Sequence, residues 1–319
     1  MGSVLPLALA CVGHASVDHH FEIEAFADHP TKTPASSYRM IVGGMAANAS
    51  IAASRLCKPG ERIRLLGRVG SDANGAFVRG QVAAFGVDTC LESVAGAVTS
   101  VSSVIVNSVG ERQIFNHRGD ALAHAHPLDV TQLEGAHALL VDPRWPDGAT
   151  AALDWANRQG ILSMLDADIA PRADLERLVP LARWVVFSEN GLAAYAPGLA
   201  PEAALRRAFD AAGPDTASRG QRVAMVTLGP RGVLWLRGSD TAHGIPLHSM
   251  PAFAVTALDT TGAGDVFHAA LALQLGAGVR QEQAIRFACA AAALKCARRY
   301  GVLETPTCAD VEAFLAKAG

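Results

Sequence analysis

Asp259-Thr260-Thr261-Gly262-Ala263-Gly264-Asp265-Val266-Phe267-His268 is the stretch on which the reading of this 319-residue chain turns. Two glycines and an alanine stand directly before a long apolar run, Val266–Leu275, which has helical length. Small residues let a backbone come close to a ligand. The N–H groups of a helix's first turn have no intrahelical partner, and the helix dipole favours negative charge there. The string therefore predicts a helix from about Ala263 whose N-terminus is an anion hole, suited to a phosphate that gains charge during transfer. Asp265 falls on that first turn, where a carboxylate is expected to be ionised at neutral pH and able to accept a hydroxyl proton. Taken alone, a G-x-G-D string also fits a glycine-rich turn with Asp265 as its cap, so the rest of the chain has to decide.

Working outward, the pattern is that of an α/β protein. Leu7–Gly13 reads as a buried strand, with Asp18 close behind it. Gly43-Gly44 opens a small-residue helix over Met45–Leu56. Arg62–Leu66 reads as a strand and Ala76–Phe85 as a helix. Val101–Asn107 and Glu111–Asn116 flank Ser108-Val109-Gly110, a hairpin signal. From Ala138 strands (Ala138–Val141, Ile161–Asp166, Trp184–Phe187, Val223–Thr227) alternate with helices (Ala149–Arg158, Ala173–Val179, Pro201–Ala212). Short apolar runs alternating with helical stretches imply parallel strands. Val233–Arg237 and a strand before Pro251 read as an antiparallel extension, and helices from about Ala263, Glu282 and Ala309 close the chain. Such a sheet binds ligand at the carboxyl ends of its strands, so Asp18, Gly43, Asp142, Arg144, Asp166, Ser188 and Gly229 are expected along one edge. A surface turn is expected around Gly213–Gly220.

Composition narrows the partners. The chain is 50% hydrophobic and carries 18% charged residues with a net charge of −3, which lacks the basic balance of a nucleic-acid binder. An anionic ligand must be met by a few placed cations. Six scattered cysteines without a C-x-x-C pair are expected as reduced thiols. The apolar start lacks a basic segment and reads as a first strand rather than a signal peptide, and no apolar run reaches the roughly 18 residues of a membrane span. A cytoplasmic protein with no membrane association is expected. His19-His20 and His124/His126 lack metal spacing and are expected to be surface or lid residues.

At this point a family resemblance emerges. The string Asp259–Phe267 resembles the C-terminal signature of the ribokinase/PfkB carbohydrate kinases. Gly43-Gly44 followed by Asn48 resembles their N-terminal signature, Gly70-Ser71-Asp72-Ala73-Asn74-Gly75 their G-x-D-x-x-G, and Thr227-Leu228-Gly229-Pro230-Arg231-Gly232 their T-x-G-x-x-G loop. The resemblance runs from Leu7 to about Lys317 and implies one three-layer α/β/α domain over residues 1–319. Its central sheet would be mostly parallel, with a small β-lid contributed by about 21–40 and 96–118. It implies a kinase that uses ATP and Mg²⁺, often with a stimulating monovalent cation such as K⁺ near Asp259 and Thr261. By position, Asp265 is the base and Gly262, Ala263 and Gly264 the anion hole. Asp18, Gly44 and Asn48 hold sugar hydroxyls, while Thr227, Gly229, Gly232 and Ser188 lie on the nucleotide side. A homodimer formed through the lid is also compatible with the family. The chain departs from the family's N-x-x-E: Ser188 takes the asparagine place and Gly191 the glutamate place. Glu189 then either serves the Mg²⁺ water shell from a shifted position or is an exposed residue at a helix start.

Several segments look like bacterial sulfofructose kinases: Asp142–Gly148, Leu165–Ile169, Phe187–Leu192 and Ala293–Cys296. In that subgroup an arginine, a lysine and an asparagine meet the anionic end of the substrate, and Arg144, Lys32 and Asn116 match their places. A guanidinium offers forked donors to such an anion, and a pocket cation left unpaired by a neutral sugar discriminates against it. Arg144 could instead form a structural ion pair with Asp142, Asp147 or Asp168, and Lys32 could be an ordinary solvated lysine. Three functional readings stay open. The first is phosphorylation of a primary hydroxyl on an anionic sugar such as 6-deoxy-6-sulfofructose. The second is a kinase of a neutral ketose or aldose (fructose, ribose), of 2-keto-3-deoxygluconate or of a nucleoside. The third is a silent sugar- or nucleotide-sensing module.

Overall fold

The computed structural model describes residues 7–123, 127–211, 221–238, 246–299 and 301–318. The expected turn at Gly213–Gly220 and His124/His126 lie outside them. Nine strands form the main sheet: β1 (Ala8–Gly13), β4 (Arg62–Gly70), β5 (Asp88–Val94), β8 (Ala138–Val141), β9 (Leu162–Ala167), β10 (Trp184–Ser188), β11 (Val223–Thr227), β12 (Val233–Arg237) and β13 (Leu247–Met250). Their order is β13-β12-β11-β10-β9-β8-β1-β4-β5. The seven strands from β11 to β5 are mutually parallel, and β12 and β13 run antiparallel at one end.

The parallel strands are apolar on both faces because helices cover both. On one face α1 (Met45–Leu56), α2 (Ala73–Ala84), α8 (Ala263–Gly276) and α9 (Gln281–Cys296) cover Leu9, Cys11, Leu140, Met164 and Val186. On the other face α4 (Pro146–Gln159), α5 (Arg172–Leu178), α6 (Glu189–Tyr195) and α7 (Pro201–Asp210) cover Val12, Val141, Leu165, Val185 and Phe187. The short α3 (Asp120–Ala123) and the terminal α10 (Cys308–Lys317) are the remaining α-helices among the described residues. Ala269, Ala270 and Ala272 of α8 and Ala284, Ala288 and Ala291 of α9 are buried in one cluster, and these small side chains let the two helices pack closely. Among the described residues no helix is long and apolar enough to cross a membrane.

A second sheet of four strands has the order β3-β2-β6-β7: β2 (Ser16–Glu22), β3 (Ser37–Gly43), β6 (Val101–Val106) and β7 (Arg112–His117). The expected hairpin is β6–β7. The first segment of this sheet begins at Ser16 and ends at Gly43, wider than the expected 21–40, because Asp18 lies within a strand rather than after one. Pairing of β2 with β3 and with β6 puts Ile41, Asp18, Ser102 and Asn116 in one row on one face. His20 and Glu22 continue that face, while His19, Phe21, Tyr38, Met40 and Phe115 point the other way.

Candidate active site

The carboxyl edge of the main sheet and the Asp18 face of the small sheet enclose the candidate residues. Gly262 caps α8 at φ 75°, left-handed backbone that a side chain would strain, and a Cβ there would lie 2.5 Å from Val302 Cγ1. Ala263, Gly264 and Asp265 form the first turn. Asp265 Oδ2 accepts a 2.8 Å hydrogen bond from Asn48 Nδ2 on α1, which brings together two signatures 217 residues apart. Burial and the neighbouring Asp166 carboxylate push the Asp265 carboxyl well above the ordinary range, while the Asn48 bond and His268 oppose the shift. The helix terminus alone predicted an ionised group. Burial beside a second acid outweighs it.

Behind Asp265 stands a pair of which the sequence placed Asp166 at this edge but gave His268 no role. Asp166, at the end of β9, is itself pushed up, by burial and then by Asp168 and Asp142. His268, one turn along α8, places Nδ1 2.7 Å from the Gly264 carbonyl and 3.3 Å from Asp166 Oδ2, with Nε2 3.2 Å from the Val186 carbonyl. Both ring nitrogens face acceptors, which only a doubly protonated ring satisfies, and Asp166 is the counter-charge that favours this form. Burial lowers His268, against the pull of the two carbonyl bonds and of Asp265 and Asp168.

On the small-sheet side, burial raises the Asp18 carboxyl, and Ser102 and Ser16 hydrogen-bond to it. Gly44 is the N-cap of α1. Asn116 donates from Nδ2 to Ser102 Oγ at 3.1 Å, so it joins the Asp18 row. Asp142 ties the edge together: it accepts from His14 N at 2.7 Å, Ala46 N at 3.0 Å and Arg144 N at 2.8 Å. Arg144 Nη2 lies 3.9 Å from Asp168 Oδ2, at the limit of an ion pair, and its Nη1 is buried without a partner. Buried and partnerless too are Asn48 Oδ1, His14 Nε2 and His20 Nε2. His14 is pulled down to about 4 by burial and by the Arg144 and Arg118 guanidiniums. Sequence reasoning passed over both His14 and Arg118. Their signal was position: His14 follows β1 as Asp142 follows β8, and Arg118 follows β7 of the small sheet. Lys32 is not brought to the others; it lies exposed in the connection between β2 and β3.

The loops expected on the nucleotide side are stitched to one another. Ser188 caps α6, accepting from Gly191 N at 2.9 Å and donating to Asp168 Oδ1 at 2.6 Å. A Cβ on Gly191 would lie 2.0 Å from the Ala167 carbonyl, so no side chain fits where the family carries glutamate. Glu189 is paired at 2.5 Å with Arg231 of the 3₁₀ turn Gly229–Arg231, next to Gly232. Thr227, at the end of β11, donates to the Phe187 carbonyl at 3.3 Å. Arg112 of β7 reaches across from the small sheet to Thr261 Oγ1 at 3.2 Å and Thr260 Oγ1 at 3.0 Å. A cavity of about 600 Å³ opens beside that contact, with His20, Arg39, Arg112, Asp259 and Thr261 in its walls.

Taken together, the edge presents the N-terminus of α8, an acid paired to an amide, and unsatisfied polar atoms facing a lid-like sheet. The model of the pfkB family carbohydrate kinases matches residues 7–308. The chain belongs to that family. It is a carbohydrate kinase, an ATP-dependent phosphotransferase with the ribokinase-like fold. The kinase is 27% identical to the ribokinase of Haemophilus influenzae, over 97% of this chain and 99% of that one. It resembles the solved structure of a proposed ribokinase from Agrobacterium tumefaciens, with a TM-score of 0.88 at 30% identity over 98% of each chain. The Arabidopsis thaliana ribokinase solved with ribose and ATP gives a TM-score of 0.78 at 22% identity, over 98% of this chain and 99% of that one.

The residues present treat the two implied ions differently. Among the described residues no group of three His, Cys, Asp or Glu could hold a metal by itself. Burial and then the other acids around them raise Asp166 and Asp265, and a divalent cation arriving on ATP would relieve the crowding of acids, so Mg²⁺ fits. A monovalent cation at Asp259 and Thr261 does not fit. The Asp259 carboxylate accepts from Thr261 N at 2.8 Å and Gly301 N at 2.9 Å and faces the Lys295 ammonium, which also takes the Asp259 carbonyl.

Proposed function

We propose that this kinase transfers the γ-phosphoryl group of MgATP to a primary hydroxyl of a sugar held between the small sheet and the carboxyl edge of the main sheet. Asp265 takes the hydroxyl proton. The N–H groups of the Gly262–Gly264 turn stabilise the charge that develops on the phosphoryl oxygens. Asp18, Gly44 and Asn48 hold sugar hydroxyls, while Thr227, Gly229, Gly232 and the Ser188 strand end face the nucleotide. Mg²⁺ shields the phosphate charge, and Asp166 and Asp168 are the carboxylates that would face its water shell.

The observation that carries the reading is that Asn48, whose Nδ2 holds Asp265, leaves its Oδ1 buried and open, as Arg144 leaves Nη1, His14 Nε2 and His20 Nε2, with no partner among the described residues. Buried polar atoms are ordinarily satisfied, so a set left open on a kinase's sugar side points to hydroxyls and an acceptor-rich group as their partners. Arg144 has its nearest carboxylate oxygen, Asp168 Oδ2, at 3.9 Å, with Asp142 and Asp166 also within reach of its charge and Arg118 close by; its open Nη1 favours a sugar with an anionic end, such as 6-deoxy-6-sulfofructose. The second reading, a neutral ribose or fructose, is favoured by the ribokinase relatives and by the exposed position of Lys32.

ADP release with MgATP separates the two, measured over 6-deoxy-6-sulfofructose, fructose, fructose 6-phosphate, ribose, 2-keto-3-deoxygluconate and adenosine. Asp265→Asn is expected to lower kcat by about 10³-fold, within the range for losing a general base. Selectivity for the sulfo-sugar, lost in Arg144→Met, supports the anionic reading. Preference for ribose or fructose overturns it and leaves the kinase. ATP binding without turnover on any sugar would favour the sensing module.

A further inference from the structure

Lys295 lies in the last turn of α9 with its side chain fully buried, 0% exposed. A buried ammonium is costly unless it is both paired and hydrogen-bonded. Here the hydrogen bond and the ion pair go to one residue: Nζ donates to the Asp259 carbonyl at 2.7 Å and lies 3.3 Å from Asp259 Oδ2. The carboxylate is a dependable partner: burial alone would raise it, but the hydrogen bonds from Gly301 and Thr261 and the Lys295 charge hold Asp259 down at about 2. The Leu258 and Asp259 N–H groups donate to the Cys296 carbonyl at 2.7 and 3.1 Å, fastening the segment to the C-terminus of α9, where the helix dipole favours a cation. Asp259 Oδ1 in turn holds Thr261 N at 2.8 Å, and Thr261 directly precedes the Gly262–Gly264 turn.

A carboxylate oxygen, a main-chain carbonyl and a helix C-terminus are the oxygens that a small monovalent ion would seek. We infer that the Lys295 ammonium is a tethered cation that does the work of a dissociable monovalent ion, positioning the anion hole so that turnover does not depend on K⁺. The inference rests on the Gly262–Gly264 turn being that anion hole. Lys295 touches no reacting atom; it is a positioning residue acting through Asp259 and Thr261. A tethered cation has no binding equilibrium, so the turn is held in place whatever salt surrounds the protein.

The test compares KCl with tetramethylammonium chloride at equal ionic strength. In the wild type the rate should agree within about two-fold between the two salts, and the melting temperature should not rise on changing to K⁺. Lys295→Met should lose at least about 10-fold in kcat, less than the roughly 100-fold of deleting an oxyanion donor outright, with little change in the KM for sugar. K⁺ or NH₄⁺ should restore part of that loss and raise the variant's melting temperature. K⁺ activation of the wild type beyond about five-fold, or a K⁺-specific rise in its melting temperature, overturns the inference, as does wild-type kcat in Lys295→Met. If Lys295→Met does not fold, the wild-type comparison decides alone. If no tested sugar is phosphorylated, the melting arms still read the cation, which separates this failure from a wrong substrate.

Discussion

As the proposed base, Asp265 must be ionised to accept a proton, yet burial and the Asp166 carboxylate raise its carboxyl. An ordinary aspartate titrates near about 3.9. With the folded value raised, Asp265 is competent at high pH and is lost as pH falls through that raised value, so the acid limb of kcat/KM should lie above about pH 4. Asp166→Asn removes the neighbouring negative charge and should slide the limb to lower pH. A pH–rate profile of both proteins reads this directly, and a limb that stays in place would show that Asp265 does not feel Asp166. Asp265 and Asn48 were legible because each sits in a string of small residues that few other jobs require. His268, His14 and Arg118 were not. A histidine inside an apolar helix, or a polar residue after a strand, has the same local sequence whether it serves a site or the surface. Only the fold shows that His268 reaches both Asp166 and the Gly264 carbonyl.

At the scale of elements, α6 explains the departure from the family's N-x-x-E. Ser188 is spent on capping the helix and on Asp168, and Gly191 lets α6 press against the end of β9. Gly191→Ala should therefore destabilise the fold by about 1–3 kcal/mol, the usual range for overpacking, because the obstacle is the Ala167 main chain and cannot rotate away. A shift of the urea midpoint measures it; an unchanged midpoint would mean that α6 can lift off β9. The strands of the main sheet were readable because burial on both faces makes them continuous apolar runs. The helix Met45–Leu56 and strands Ala138–Val141, Val223–Thr227 and Val233–Arg237 have the expected bounds. By contrast β2 and β5 were missed. Ser16–Glu22 turns polar residues towards the site, and Asp88–Val94 lies at the edge of the main sheet, so neither shows an unbroken apolar run.

At the scale of the whole molecule, the small sheet has two faces and only one has a task within the chain. The Asp18 face covers the candidate site and is anchored through Arg112 to Thr260 and Thr261. The opposite face carries Phe21, Tyr38, Met40 and Phe115, with Tyr38 53% and Phe115 58% exposed, and Tyr38 stacks on His19. Its edges, β3 and β7, are open, and every residue of β7 is exposed. Exposed aromatic residues on an open-edged sheet mark an interaction surface, and a second copy of the same face is a self-complementary partner for it. Sedimentation velocity should therefore find a dimer, and Tyr38→Glu with Phe115→Glu should sediment as a single chain. Both substitutions leave Asp265, Asn48 and the Gly262–Gly264 turn untouched. If pairing stiffens the sheet that holds Asp18, the monomeric variant should raise KM for sugar more than it lowers kcat. A wild type that sediments as one chain at every concentration would remove the dimer, and the aromatic face would then need another partner. Equal kinetics in monomer and dimer would confine pairing to assembly and leave the closing of the site to Arg112 alone.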